Sequence, residues 1–478
     1  MTYITLFVCD NSHLKDIKIE GDLQYKYRNM HIKQFEDKNL SHYSYAILSD
    51  CEKKIILIDP SRNSQQYLNY AKDNDAQITG VIETHPHADF VSSHLELHNT
   101  TGATIYASKL VRAFYPHQTF DEGQDIQLGK IKLSAINTPG HSPDSICIVL
   151  EHEGKQKAVF TGDTLFIGDC GRPDLRENNQ DIKTSRNELA KQLYHSLREK
   201  LMTLPGDVSV YPAHGAGTLC GKALSEANSS TIGEEIKTNW SLQPQSEGDF
   251  VKELLSDQPF VPAYFSYDVA LNKKGAATLK ESMGKIKIEE IIDKNSTAAF
   301  DKTAWIVDTR TEKDFKEGHL PHSLNLMEKG KFETWLGSII QPEEKFYLAG
   351  ASKDQVGRML ERAGSIGYES QVAEAFVIQS GCIKEEKINV AEFKAHEKDY
   401  TIVDVRNASE LEHGKIFSTS ISIPLAELRK RVNEIPTDKP IAVHCAGGYR
   451  SAAASSLICS KLNGLVAVFD LGEAIKEF

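Results

Sequence analysis

The chain has 478 residues, with 55 Lys and Arg against 67 Asp and Glu, and its formal net charge is −12 at pH 7. The acidic and basic residues are interspersed, which argues against nucleic acid or an anionic membrane as a partner. No apolar run approaches the roughly 18 residues of a membrane span, and a chain of this length should hold about three domains of roughly 150 residues each.

The N-terminus and the cysteines indicate the compartment. The chain begins Met1-Thr2-Tyr3-Ile4-Thr5-Leu6, without the basic region and small-residue cleavage site of a signal peptide. Its eight cysteines have no framework spacing, as suits a reducing environment with one or a few reactive thiols. We therefore expect a cytoplasmic protein without a signal peptide.

Residues 1–262 alternate strand-like and helical stretches. The apolar, β-branched runs that predict strands are 46–48, 54–58, 80–82, 146–150 and 208–211. A helix is predicted over 185–201, because Leu189, Leu193, Leu197 and Leu201 fall on one face. Mixed strands with helices outside suggest an αββα sandwich. The chain then turns polar and Pro-rich over 246–262, which places the first domain boundary there.

Clusters of histidine and aspartate follow several of these strands. They are Thr84-His85-Pro86-His87-Ala88-Asp89, Thr138-Pro139-Gly140-His141, Phe160-Thr161-Gly162-Asp163 and Tyr211-Pro212-Ala213-His214-Gly215. Because each sits just past a probable strand end, their imidazole and carboxylate groups can converge on one metal.

The ligand types favour a single iron. Two imidazoles and one carboxylate on one face of an ion, with the other positions open, are typical of non-haem Fe(II) oxygenases, and His85, His141 and Asp163 could supply them. A second metal would draw on Asp89, the following residue and His214. That following residue is Phe90, which cannot ligate, so one ion is favoured.

His87 stays ambiguous at this stage. It either binds the metal or contacts a metal ligand and orients it without binding the metal itself, and we favour the second interpretation.

These segments resemble the metallo-β-lactamase superfold and, within it, the persulfide dioxygenase branch. The motif that carries the closer resemblance is Thr161-Gly162-Asp163-Thr164-Leu165-Phe166-Ile167-Gly168-Asp169-Cys170-Gly171-Arg172-Pro173-Asp174. The resemblance implies one Fe(II) per chain, held by His85, His141 and Asp163. It also implies that Tyr211 and Arg172 orient substrate near the metal, although each could instead be structural.

Cys220 lies just after the last cluster, in His214-Gly215-Ala216-Gly217-Thr218-Leu219-Cys220. A thiol in that place could receive or guide a persulfide, or it could be packing under the loop. Both interpretations remain open. Together with His87, Asp89, His214, Tyr211 and Arg172, it belongs to the predicted surroundings of the metal.

The C-terminal part carries a different signature. The strand-like run 441–444 leads into Cys445-Ala446-Gly447-Gly448-Tyr449-Arg450 and then a helical stretch. A cysteine on a Gly-containing loop at a helix N-terminus is expected to have a lowered pKa, since the loop amides and the helix dipole favour an anion. Arg450 adds a positive charge, so the loop can hold a thiolate or the persulfide formed on it.

This segment resembles the active-site loop of the rhodanese family, and its upstream frame occurs twice. Val403-Asp404-Val405-Arg406 is preceded by Val307-Asp308-Thr309-Arg310, 96 positions earlier, which indicates an internal repeat of domain size. Where the first copy should have its cysteine, the chain reads Tyr347-Leu348-Ala349-Gly350-Ala351-Ser352. We therefore expect a degenerate rhodanese-like domain over 263–380 and an active one over 381–478, each a small doubly wound α/β domain.

The expected function is that of a persulfide dioxygenase–rhodanese fusion. It would oxidise a low-molecular-weight thiol persulfide with O2 to sulfite and thiol, and Cys445 would move sulfane sulfur between persulfide, sulfite and thiosulfate. The alternatives are a glyoxalase II-type dinuclear zinc thioester hydrolase and a sulfur carrier without turnover. A homo-oligomer is expected, with no nucleic-acid or membrane partner.

Overall fold

The computed structural model describes residues 30–176, 185–222, 224–291, 300–379, 381–412 and 414–478. The predictions about the first six residues therefore fall outside the described part. Within that part, no helix is both long and apolar enough to cross a membrane.

Two six-stranded sheets form the first half of the molecule. The first sheet, in the order β1-β2-β3-β4-β5-β6, consists of β1 Met30–Asp37, β2 His42–Ser49, β3 Lys54–Ile58, β4 Gln77–Ile82, β5 Thr104–Ala107 and β6 Gln118–Thr119. The second, in the order β12-β11-β10-β9-β8-β7, consists of β7 Asp125–Leu128, β8 Ile131–Asn137, β9 Ile146–His152, β10 Lys155–Gly162, β11 Ser209–Pro212 and β12 Ser230–Thr231.

Helices cover the outer face of each sheet. They are α1 Gln65–Asp73, α2 His94–Thr101, α3 Arg186–His195, α4 Ile232–Thr238 and α5 Glu247–Leu255. The predicted leucine face of α3 is buried along its whole length. The last turns of this segment, Ser196–Leu201, are π-helical. At its start Ser185 accepts a hydrogen bond from the Glu188 amide, which satisfies an amide that the first helical turn leaves unpaired.

The two sheets pack face to face. Ile47 and Ile58 of the first sheet meet Leu133 and Ile148 of the second in one buried cluster. The outer faces pack on the helices, for example Leu193 of α3 beside Val159 of the second sheet. This is the expected αββα sandwich, since each sheet buries one apolar face on the other and one under helices.

Part of the polar stretch 246–262, where the first domain boundary was predicted, forms a helix. Residues 247–255 form α5, and its Phe250 and Leu254 are buried with α3. Two further helices, α6 Phe265–Lys274 and α7 Leu279–Gly284, follow it. The boundary at 262 stays a prediction.

The second half contains two smaller parallel sheets. The first, in the order β13-β17-β16-β14-β15, consists of β13 Ile288–Ile291, β14 Trp305–Asp308, β15 Ser323–Asn325, β16 Phe346–Gly350 and β17 Val372–Ile378. The second, in the order β19-β18-β20-β21, consists of β18 Thr401–Asp404, β19 Ile421–Ser422, β20 Ile441–His444 and β21 Val468–Asp470. Helices of these parts are α8 Glu312–Glu317, α9 Phe332–Ile339, α10 Lys353–Ser365, α11 Val390–Ala395, α12 Ala408–Leu411, α13 Leu425–Arg431 and α14 Tyr449–Leu462.

The repeat seen in the sequence recurs in three dimensions. In both sheets the strand that ends in the Asp-x-Arg motif lies beside the strand that leads to the cysteine position. Arg310 forms a buried bidentate pair with Asp308 and donates to the Gly318 carbonyl. Arg406 makes the same bonds to Asp404 and to the Gly414 carbonyl.

Candidate metal centre and cysteine loop

The three predicted metal ligands lie together at the edge where the two large sheets meet. His85 follows β4, His141 follows β8 and Asp163 follows β10. The Asp163 Oδ2 atom is 3.9 Å from His85 Nε2 and 3.5 Å from His141 Nε2. All three side chains are buried, and their ligand atoms lie within 4.8 Å of one another. The group could hold one metal ion.

Hydrogen bonds fix which imidazole nitrogen faces this group. The His141 Nδ1 atom lies 2.8 Å from the Arg172 carbonyl, which can only accept. The Thr84 hydroxyl donates to Asp59 and lies 3.0 Å from His85 Nδ1, so it accepts from that ring. In both histidines the proton is therefore on Nδ1, and Nε2 keeps its lone pair for a metal.

Close backbone approaches build the loops that carry these ligands. A Cβ atom on Gly171 would lie 1.9 Å from the Asp163 carbonyl oxygen and 3.1 Å from the His141 side chain. Gly162 has a φ of +50°, and a Cβ atom there would meet Thr84 at 2.6 Å. Both positions of the Thr-Gly-Asp and Cys-Gly-Arg motif thus need glycine for steric reasons.

His87 lies in a different group. Its Nε2 atom is 3.1 Å from Asp59 Oδ1 and 3.7 Å from Glu83 Oε2. Burial alone would lower the pKa of His87, but the negative charges of Asp59 and Glu83 outweigh it and raise this pKa to about 9. Asp59 also accepts from the Thr84 amide and hydroxyl. His87 can therefore act on His85 through Asp59 and Thr84, although its role stays a prediction.

A second cluster lies on the other side of Asp163. It contains Asp89, His214 and Cys220, whose ligand atoms also lie within 4.8 Å of one another. Burial raises the pKa of Asp89 and of the Cys220 thiol, and the neighbouring Asp163 raises both further. Phe90 is buried and packs on the rings of His42 and His87, with centroid distances of 3.9 and 4.3 Å.

Arg172 and Tyr211 are held by structural contacts. The Arg172 guanidinium donates twice to Asp174, at 2.7 and 2.6 Å, and to the Leu219 carbonyl. Its backbone amide donates to the Cys220 carbonyl. Tyr211 stacks on Phe160 with centroids 5.4 Å apart. These contacts favour the structural interpretation of Arg172, which links the loop of His141 to that of Cys220.

Cys445 lies at the end of β20 and is buried. The amides of Gly448 and Gly447 point at its Sγ atom, at 3.1 and 3.5 Å. Gly448 has a φ of +99°, which a glycine adopts without strain. Arg450 forms a bidentate pair with Glu410. The loop thus aims two N–H donors at the sulfur, as the sequence predicted for an anion.

Several contacts could not be predicted from local sequence. The Tyr264 hydroxyl donates to the Asp89 carbonyl, and Asn272 donates to the carbonyls of His87 and Phe90. The Tyr449 hydroxyl donates to the Met327 carbonyl in the preceding sheet unit. These partners are about 120 to 185 positions apart, and no motif marks them.

Two family models match separate parts of the chain. Residues 39–214 match the metallo-beta-lactamase superfamily and residues 389–478 the rhodanese-like domain. The mitochondrial persulfide dioxygenase ETHE1 of Bos taurus is 31% identical over 222 residues, which cover 46% of this chain and 78% of that protein. The Mus musculus protein is 30% identical over 241 residues, covering 50% and 85%.

Two other similarities bear on the chemistry and the fold. The hydroxyacylglutathione hydrolase GloC of Haemophilus influenzae is 27% identical over 222 residues, covering 42% of this chain and 93% of that protein. The crystal structure of a metallo-beta-lactamase from Staphylococcus aureus subsp. aureus COL superimposes with a TM-score of 0.65 at 29% identity, covering 74% of this chain and all of that one.

Proposed function

The chain belongs to the persulfide dioxygenase family and carries a rhodanese-like domain after its metallo-β-lactamase fold, and we propose that it oxidises a low-molecular-weight thiol persulfide with O2. Persulfide, O2 and water would give the thiol and sulfite, with the outer sulfur as the atom oxidised. The observation that carries the proposal is the buried group of His85, His141 and Asp163.

The donor set fits Fe(II). Two neutral imidazoles and a carboxylate are typical ligands of non-haem Fe(II) oxygenases, so His85, His141 and Asp163 would hold the ion, and bound Fe(II) would supply the chemistry that activates O2. Both oxygens of Asp163 are buried without a hydrogen-bond partner among the described residues. A buried carboxylate in that state needs a compensating cation. The chain's part is to fix the two Nε2 atoms and to exclude water.

We also propose that Cys445 transfers sulfane sulfur. Its thiolate would attack the outer sulfur of a persulfide and release the thiol, leaving Cys445 as a persulfide. Attack by sulfite would then give thiosulfate and restore the thiolate. The Gly447 and Gly448 amides would stabilise the thiolate that attacks the persulfide and the thiolate that sulfite restores, because both point at the Sγ atom.

The middle unit, proposed as a degenerate rhodanese-like domain, would be architectural. It contacts both chemical units: Lys331 donates to the Gly217 carbonyl beside the metal centre, and Met327 accepts from Tyr449 in the cysteine loop. A Cβ atom on Gly330 would lie 2.6 Å from the Tyr449 ring. These contacts support a role in holding the two sites in one arrangement.

Oxygen uptake tests the dioxygenase proposal. The iron-loaded protein should consume O2 with glutathione persulfide or coenzyme A persulfide, and the thiol that is accepted best identifies the substrate. His141→Ala should bind iron weakly and consume none. His98→Ala is the matched control, because its ring contacts the Ala103 carbonyl outside the site. Full uptake by iron-loaded His141→Ala would refute the proposal.

The second candidate is a thioester hydrolase with two metal ions. The similarity to GloC favours it, whereas Phe90 in place of a ligand argues against it. Zinc-loaded protein that hydrolyses a glutathione thioester, together with iron-loaded protein that consumes no O2, would select the hydrolase.

A further inference from the structure

A lysine of the middle unit contacts the unit that carries Cys445. The Lys316 Nζ atom, on α8, donates to Asp470 Oδ2 at 3.0 Å and also to Glu312. The Lys316 side chain is 9% exposed and that of Asp470 is fully buried. A buried carboxylate is costly without a compensating cation. The charge that compensates Asp470 therefore comes from a residue 154 positions away.

Asp470 holds a turn that packs against the Cys445 loop. It ends β21, where it pairs with Val443 of the strand that leads to Cys445. Its Oδ1 atom accepts a hydrogen bond from the Gly472 amide at 2.8 Å. A Cβ atom on Gly448 would lie 3.3 Å from the Gly472 carbonyl carbon, and the Gly448 amide points at Cys445 Sγ at 3.1 Å. The carboxylate thus fixes the backbone that supports this amide.

Ser451 forms a second connection between Asp470 and the sulfur. Its Oγ atom lies 3.7 Å from Cys445 Sγ and donates to the Gly448 carbonyl at 3.0 Å. Burial raises the pKa of Asp470, while the charge of Lys316 and the Ser451 hydroxyl oppose that rise. The Asp470 carboxylate therefore lies next to a side chain that contacts the reacting sulfur atom.

Two more acidic groups face the pair of Lys316 and Asp470. Glu312 of α8 adds to the rise of the Asp470 pKa. Glu385, after β17, faces Lys316, Asp470 and Glu312, and its Oε1 atom is buried without a hydrogen-bond partner among the described residues. Lys316 is thus the cation of a group that otherwise consists of carboxylates, so its loss would leave excess negative charge there.

On the thiol side the charges are already paired. Arg450 faces Cys445 and forms a bidentate pair with Glu410. Because its guanidinium is engaged in this way, Arg450 does not compensate Asp470. The balance of charge on the other side of the thiol therefore depends on Lys316.

We propose, on the basis of the sulfur transfer proposed for Cys445, that Lys316 is a positioning residue of that reaction. It neutralises Asp470, so that the Gly472 turn keeps the Gly448 amide in place and no unbalanced negative charge lies near the thiolate. A nearby negative charge disfavours a thiolate, which is the reacting form of cysteine. The degenerate middle unit then contributes to the chemistry, besides holding the two sites in one arrangement.

The pH dependence of Cys445 alkylation tests this role in the full chain. Iodoacetamide reacts with the thiolate, and the mass of the peptide that contains Cys445 distinguishes its reaction from that of the other cysteines. In Lys316→Met the pH of half-maximal alkylation should rise by about half a unit or more. The kcat of sulfur transfer from thiosulfate should fall several-fold with KM little changed. Lys313→Met, on the same helix but 73% exposed, should match the wild type in both measurements.

Asp470→Asn tests the sign of the charge. Asparagine keeps an acceptor for the Gly472 amide but removes the negative partner of Lys316, so the half-maximal pH should fall below that of the wild type. Lys316→Met/Asp470→Asn should return close to the wild-type value, since neither charge of the pair is then left unbalanced. If Lys316→Met does not fold, Asp470→Asn decides by itself.

The outcomes distinguish this role from the proposed function. An unchanged half-maximal pH in folded Lys316→Met would overturn the role of Lys316 even if the urea midpoint falls, because Lys316 would then be structural. An unchanged or higher value in Asp470→Asn would overturn it as well. The expected shifts in a protein that transfers no sulfur would contradict only the sulfur transfer proposed for Cys445.

Discussion

Replacing Arg172 by methionine is expected to destabilise the first half of the molecule without a specific loss of substrate affinity. The side chain is 1% exposed and makes two bonds to Asp174 and one to the Leu219 carbonyl. Methionine fills similar space but leaves the Asp174 carboxylate, 13% exposed, without its cation. Removing one partner of a buried ion pair costs about 3–5 kcal/mol.

The assay is urea unfolding, followed through the first transition, because a chain with several units need not unfold in one step. Arg172→Met/Asp174→Leu should recover about half or more of the lost free energy, since no buried charge is then left unpaired. Cys220 should become more reactive toward a thiol reagent in the single variant, because Arg172 holds the backbone beside it.

If Arg172→Met unfolds at the wild-type urea concentration but raises KM for the persulfide several-fold, Arg172 binds substrate and its pair with Asp174 contributes little. Arg172→Lys serves as the control for charge alone. It keeps the cation but cannot reproduce the bidentate geometry, so it should fall between the wild type and the methionine variant in stability.

Three other outcomes are expected. Cys445→Ser should leave oxygen uptake within about twofold and abolish thiosulfate-linked sulfur transfer, because a hydroxyl is a far weaker nucleophile than a thiolate; transfer at the wild-type rate would implicate another cysteine. Ala349→Cys in the Cys445→Ser background should not restore sulfur transfer. Ser352 has an extended backbone at the position where the active copy has Gly448 with a positive φ, so the loop does not have the conformation that directs amides at the sulfur. Appreciable turnover would contradict the assignment of this domain as degenerate. Burial raises the pKa of Glu385 to about 7, although the charge of Lys316 opposes this. Between pH 4.5 and 7 the folded state therefore binds more protons than the unfolded chain, and the free energy of unfolding should fall by up to about 3 kcal/mol as the pH rises. Urea midpoints of Glu385→Gln should lack that slope, and an unchanged slope would mean that other groups cause it.

The residues proposed for both sites could be predicted from the sequence. Histidine and aspartate just past strand ends predicted the His85, His141 and Asp163 group, because strand ends in such a fold meet at one edge. The Gly447-Gly448 loop after a short apolar run predicted that backbone amides surround the Cys445 thiol. These residues could be predicted because each pattern depends on a few neighbouring positions and on the local conformation that they impose.

Which residues from distant parts of the chain lie together depends on the tertiary packing. Cys220 lies beside Asp89 and His214, and its carbonyl accepts from the Arg172 amide. Tyr449 of the Cys445 loop donates to the Met327 carbonyl, which lies past the end of β15. Arg172 itself, open to two interpretations in the sequence, is engaged by Asp174 in the fold. Such contacts join residues far apart along the chain through side-chain hydrogen bonds and burial, and neither local periodicity nor spacing carries that information.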